Sequence, residues 1–183
     1  MTEATVVSVG HGTLAETELV ELLQQAGVGH VVDVRRFPGS RRHPQYAKEQ
    51  LEHWLPAAGI GYSWDPRLGG RRRGDPASPH LALRNEAFRA YADHMETAEF
   101  GDGLDALVAL ATGDPASVAV MCAESLWWRC HRRLLADALV LLRSVPVVHL
   151  FHDGRQAPHR PTPEARVSDG QLVYDLGVTA PLV

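Results

Sequence analysis

The chain has 183 residues, 45% hydrophobic and 22% charged, with a formal net charge of −4. That length suits one domain with a real core, that balance is ordinary for a globular protein, and that charge does not suggest a general nucleic-acid binder. No apolar run approaches the ~18 residues of a membrane span, no basic, cleavable leader is visible at the N-terminus, and two cysteines cannot make a disulfide framework, so we expect a cytoplasmic protein with reduced thiols and no membrane partner.

Residues 5–9 (TVVSV) are a β-branched run stopping at Gly10, which reads as a strand. After Gly-His-Gly, Thr13 and Glu16 fit a capping box ahead of Leu19, Leu22 and Leu23, which predicts a helix closed by Gly27 and Gly29. HVVDVRRFP reads as the second strand, ended by Pro38, and GSRRHPQ as a loop. A helix is expected over roughly 45–58, with Tyr46, Leu51, Trp54 and Leu55 on its apolar side. IGYSWDP, residues 60–66, reads as a third strand, and LGGRRRGDPASPHLAL as irregular. Helices are expected over 85–96 and 98–112, a buried strand over 117–122, a helix from about 127 to 143 and a strand over 145–151. The D-G step in RVSDGQLVYD signals a hairpin. Strands that alternate with helices, and are apolar throughout, predict an α/β fold: a mostly parallel sheet with helices on both faces and a C-terminal β-hairpin. We take residues 1–183 as a single α/β domain, with its core in 5–151 and its tail and hairpin in 152–183.

In such sheets ligands bind beyond the carboxyl ends of the strands. Here the first strand leads to His11, and the second to Asp33, Arg35, Arg36, Ser40, Arg41, Arg42 and His43. The third leads to Asp65, Gly69, Gly70, Arg71 and Arg72, and the fourth to Cys122, Glu124, Cys130, His131 and Arg132. Seventeen arginines stand against one lysine, Lys48. Codon preference accounts for that ratio but not for the clustering of eleven arginines in windows 35–42, 67–73 and 129–133. Clustered cations repel unless they are solvated or matched to an anion. On a helix running through Cys130, His131 would point inward with the stripe Leu134, Leu135, Ala138, Leu139 and Leu142. Cys130 and Arg132 would flank it, and Arg129 and Arg133 would face solvent.

MCAESLWWRCHRRLL, residues 121–135, admits four readings. A cysteine-nucleophile loop with an arginine at a helix start would be C-x5-R, but Cys122 to Arg129 is C-x6-R, with Glu124 inside and no glycine. A zinc site could use Cys122, Cys130 and His131 with His11 or His43. There is no C-x2-C pair, however, and neighbours on a helix diverge by ~100°, so no metal ligand is assigned. In a third reading Cys122 is a buried small hydrophobe and Glu124 pairs with an arginine. The fourth, which leads, is a pocket for a phosphorylated or nucleotide-like anion. Arg35, Ser40, Arg41, Arg42, Arg71, Arg72 and Arg132 would bind the ligand, and Trp127 or Trp128 could stack on a base. His11, Asp33, Cys122, Glu124 and His131 are the candidate catalytic groups. Two alternatives stay open: a nucleic-acid-binding module gripping phosphate with the Arg41-Arg42 and Arg71–Arg73 loops, and a cysteine-dependent or metal-binding protein. Neither the cofactor, the oligomeric state nor enzymatic activity is fixed by these patterns.

SVGHGT, VVDVRRFPGSRRHPQY, LGGRR, FRAYADHM and MCAE…WRCHRRLLADAL, in this order, resemble a bacterial and archaeal family catalogued as domain of unknown function 488. The resemblance runs over roughly residues 5–175, including PHRPTPEARVSDGQLVYD. The family pattern falls on Gly10, His11, Asp33, Arg35, Pro38, Ser40, Arg41, Gly69, Gly70, Cys122, Glu124, Cys130, His131 and Arg132. Where that pattern often has a proline after the glutamate, this chain has Ser125-Leu126-Trp127. The resemblance implies a site at these positions without implying a reaction.

Overall fold

In the computed structural model, residues 4–39, 41–113 and 116–178 are described. The order of elements is β1 (Val6–Gly10), α1 (Glu16–Gln25), β2 (Val28–Asp33), α2 (Lys48–Ala57), β3 (Gly61–Trp64), α3 (Glu86–Met95), α4 (Ala98–Gly113), β4 (Ser117–Cys122), α5 (Arg132–Arg143), β5 (Val147–Leu150), β6 (Gln156–Pro158), β7 (Ala165–Ser168) and β8 (Gln171–Tyr174). Six strands form one sheet in the order β3-β2-β4-β1-β5-β6, and β7 and β8 form a separate hairpin. The first five strands of the sheet are parallel, and only β6 is antiparallel to its neighbour.

The apolar runs read from the sequence are apolar because both faces of the sheet are covered. On one face Val6, Val32, Val34, Val118 and Val120 pack with Tyr91, Phe100, Leu104, Leu134 and Leu135 from α3, α4 and α5. On the other, Val7, Val9, Val31, Ala119 and Met121 meet Leu19, Leu22 and Leu23 of α1 and Leu51, Trp54 and Leu55 of α2. The hairpin closes over the outside of the first layer through Leu172 and Tyr174. Its Asp169-Gly170 turn has φ of 51° and 79°, the positive pair that a tight hairpin requires. No helix among the described residues is long and apolar enough to cross a membrane.

The topology decides where the site lies. β4, late in the chain, inserts between β1 and β2. Gly10 pairs with Cys122, and Asp33 with both Met121 and Trp64, so the ends of four strands are level to within a residue. Hydrogen bonds extend the ladder past them: His11 N–H to the Cys122 carbonyl (2.9 Å), Gly12 N–H to Ala123 (2.9 Å) and Val34 N–H to Met121 (2.9 Å). The loops leaving this edge therefore start from a fixed base.

Three local expectations are corrected. Residues 127–143 are not one helix: a 3-10 turn covers Trp127–Arg129, Cys130 is extended (φ −119°, ψ 151°) and α5 begins at Arg132. α1 is not capped by Thr13. Ala15 precedes its first residue, and the Glu18 carboxylate accepts the Ala15 N–H at 2.6 Å, so the glutamate half of a capping box alone is made. The second predicted helix is shorter, preceded by a separate 3-10 turn at Pro44–Tyr46.

Candidate functional site

A cavity of about 780 Å³ opens at the carboxyl ends of β1, β2 and β4. Of the residues singled out in the sequence, His11, Arg35, Arg42, Arg71, Cys122, Glu124 and His131 line it. Arg36, Phe37, His43, Phe88, Arg129 and Cys130 also line it. Arg36, His43 and Arg129 sit in the same arginine-rich segments as the predicted residues, a signal already in the sequence. Phe37 and Phe88 carried no such signal. Arg129 is exposed, as expected, and also lines the cavity mouth, from the 3-10 turn that precedes the extended residue 130.

The remaining candidates are placed elsewhere. Asp33 is fully buried behind the cavity wall and holds Arg35. Arg35 Nε and Nη2 donate to the two Asp33 carboxylate oxygens at 2.9 and 2.6 Å, and Nη2 also reaches the Tyr46 carbonyl at 2.8 Å. Tyr62 adds its hydroxyl to Asp33 at 2.9 Å. The aspartate is thus a positioning group for one guanidinium. Arg132 is buried under β1, donating from Nη1 to Ser8 Oγ at 3.1 Å and from Nη2 to the Glu124 carbonyl. Arg72 stitches its own loop, donating to the carbonyls of Gly69 (2.9 Å) and Pro66 (2.6 Å) and facing Glu99 at 3.5 Å. Arg41 is exposed and off the cavity lining. Ser40 lies outside the described residues. Trp127 stacks on His149, centroids 3.9 Å apart and nearly coplanar, so it is not a platform for a ligand in the cavity.

Three glycines of the motif set are explained by contact. A Cβ on Gly10 would overlap the Glu124 carbonyl and crowd the Arg132 guanidinium. One on Gly69 would stand 2.6 Å from Arg36 N, and one on Gly70 would stand 3.0 Å from His131 Nδ1. Each gap is what lets a site residue or its support approach the backbone.

Two chemical groups occupy the floor. His11 is buried, stacked on Tyr46 with centroids 3.9 Å apart. Its Nδ1 donates to the Gly12 carbonyl at 3.0 Å, and its Nε2 faces Arg35 Nη1 at 3.5 Å. Burial, aided by Arg35, lowers its pKa to about 4, so at neutral pH it is an uncharged imidazole with an acceptor nitrogen.

The second group is sulfur. One donor atom each of Cys122, Cys130 and His131 lies within 4.8 Å of the other two. His131 Nδ1 is 3.6 Å from Cys130 Sγ. Its Nε2 donates to the Val34 carbonyl at 3.1 Å, and the ring packs against Tyr91 with centroids 5.0 Å apart. The hydrogen bond from Cys122, with Arg132 nearby, holds the Cys130 thiol well below its usual range, and the same contact plus burial pushes Cys122 well up. One proton shared by two sulfurs, beside a buried guanidinium, describes both shifts. Arg132 has no carboxylate partner among the described residues, and its Nε has no partner at all there.

A family model described as domain of unknown function DUF488 matches residues 16–139. The matched segment holds Asp33, Arg35, Gly69, Gly70, Cys122, Glu124, Cys130, His131 and Arg132; Gly10 and His11 precede it. No curated protein and no solved structure matches the chain.

Proposed function

The chain belongs to the DUF488 family, and from that premise we propose that it binds a phosphorylated or nucleotide-like small anion in the cavity at the carboxyl ends of β1, β2 and β4. The observation that carries this reading is the charge of the wall. Five arginines, Arg35, Arg36, Arg42, Arg71 and Arg129, line the cavity against one carboxylate, Glu124, in a protein whose net charge is −4. Arg35 is already matched by Asp33. The other four make no ion pair among the described residues. Guanidinium forks gathered on a concave wall suit phosphate oxygens, and the volume lies within the range of small-molecule sites. Phe37, 60% exposed on the rim, offers an apolar face for a base. Neutral His11 and the Glu124 carboxylate would supply acid–base chemistry to a ligand held there.

The test is calorimetric titration with inorganic phosphate, pyrophosphate and a set of ribonucleoside mono- and diphosphates. Saturable binding that weakens on Arg42→Ala and Arg71→Ala, and more steeply with added salt, is expected. If none of these anions binds, or if binding survives the double substitution unchanged, the reading is wrong.

A further inference from the structure

We propose that Cys122, Cys130 and His131 form a three-ligand site for a borderline-soft divalent metal ion of the zinc class, with its fourth coordination position open to the cavity. The argument starts from the backbone. Neighbours on a regular helix point ~100° apart, but residue 130 is extended (φ −119°) and 131 is helical (φ −57°). That break turns the two consecutive side chains toward one point, where Cys122 arrives from the end of β4. The donor atoms then lie within 4.8 Å of one another. Zinc bound at ~2.3 Å to sulfur and ~2.0 Å to nitrogen sets tetrahedral donors roughly 3.5–3.8 Å apart, so the set has to close by about 1 Å at most around the ion.

The histidine is prepared for this role. Its Nε2–H is committed to the Val34 carbonyl at 3.1 Å, which fixes the tautomer and leaves the Nδ1 lone pair facing Cys130 Sγ at 3.6 Å. A backbone carbonyl on the far nitrogen is the usual outer support of a metal-bound imidazole. Tyr91 and Gly70 both pack close to the ring. Two thiolates cancel the charge of a divalent ion, so the loaded site would be neutral beside an arginine-rich wall. Cys122, Cys130 and His131 all line the cavity, which leaves one face of the ion uncovered by protein. Three protein ligands and an open position are the pattern of catalytic rather than structural zinc. The nature of the fourth ligand, a water or an oxygen of the bound anion, rests on the anion reading; the three protein ligands do not.

Cobalt(II) titration of the reduced, metal-stripped protein tests the site. The expected result is a thiolate-to-cobalt charge-transfer band that saturates at one equivalent, is displaced by zinc, and weakens in affinity at least about tenfold in Cys122→Ser and in His131→Gln. His131→Gln accompanies the cysteine variant because it leaves both sulfurs in place, and circular dichroism verifies that each variant folds. Arg42→Ala should leave the band unchanged, so a failed anion site and a failed metal site give different results. The proposal is overturned if the reduced wild-type chain gives no such band. It is equally overturned if folded Cys122→Ser and His131→Gln bind cobalt as tightly as wild type, or if the two cysteines pair as a disulfide and yield no cobalt site after reduction.

Discussion

Two clusters of titratable groups lie along α5, and they differ in access. The first, at its N-terminal end, is Cys122, Cys130 and His131. The second, around its middle, is Asp137, His159, His149 and Tyr174. In the second, Asp137 accepts from His159 Nε2 at 2.8 Å, the Thr162 N–H at 2.9 Å and the Tyr174 hydroxyl at 2.9 Å, and His149 Nε2 meets His159 Nδ1 at 2.9 Å. Asp, His and a hydroxyl in hydrogen-bonding range resemble a catalytic relay, yet Asp137 and Tyr174 are 0% exposed and Trp127 lies flat on His149. Burial and then Asp137 push the Tyr174 hydroxyl well up, which keeps it a donor. That cluster is a closed polar knot tying the tail and hairpin to α5. The sulfur cluster has fewer hydrogen bonds and opens on the cavity, whereas the unpartnered His149 Nδ1 of the second cluster is sealed in the interior. Residue type does not separate a site from a support; access does.

The sharpest way to break this comparison is Asp137→Ala. It strands His159, Tyr174 and the Thr162 amide in the interior, and should cost about 3–5 kcal/mol in urea unfolding. A cost below about 1 kcal/mol would dissolve the distinction. Acid comes next. His11 has its pKa lowered to about 4, and His149 to about 3 with burial the main cause. Both are neutral when folded and titrate near 6.5 when unfolded, so the unfolded state takes up protons first. Their contribution to stability should therefore be constant above pH 6.5 and fall below it, by about 1.4 kcal/mol per pH unit for each histidine. The loss from His11 ends near pH 4, on the order of 3 kcal/mol in all, and that from His149 continues to about pH 3. His11→Asn should flatten the upper part of this fall, and an unchanged slope would place the protonation elsewhere.

Smaller effects test the other side of the contrast. Cys122→Ser should change stability by less than about 1.5 kcal/mol, while removing the more accessible of the two thiols from reaction with a disulfide reagent. A large loss of stability would make the cluster another support. Smallest of all, Arg42→Ala, exposed at the rim, should shift stability by no more than about 0.5 kcal/mol and weaken anion binding about tenfold, or ~1.4 kcal/mol.

Periodicity made most elements legible, because strands buried on both faces and amphipathic helices have distinct patterns. The break at Cys130 was not, since LWWRCHRR continues the apolar phase of α5 and nothing local marks one extended residue. β6 was missed as well: Gln156–Pro158 is a short antiparallel edge carrying a proline, which reads as loop. In the site, position after a strand picked out His11, Arg35, Cys122 and His131. It could not tell an arginine that faces a cavity from one that ties a loop. Arg72 and Arg132 spend their forks on carbonyls and a hydroxyl, and those partners are set only when the chain closes. The loss of helical phase also brings the Cys130 and His131 donor atoms to 3.6 Å, where neighbours on a continuous helix would diverge by ~100°.

The insertion of β4 between β1 and β2 has a consequence in time. Val6 pairs with Val118, and Val31 with Ala119, partners far apart in the chain. During synthesis, the segments bearing His11 and Arg35 emerge long before either cysteine. Contacts so distant in sequence form late and slowly, so the cavity should be among the last parts of the molecule to exist. In a refolding experiment, helix content should recover before the two thiols become shielded from a labelling reagent.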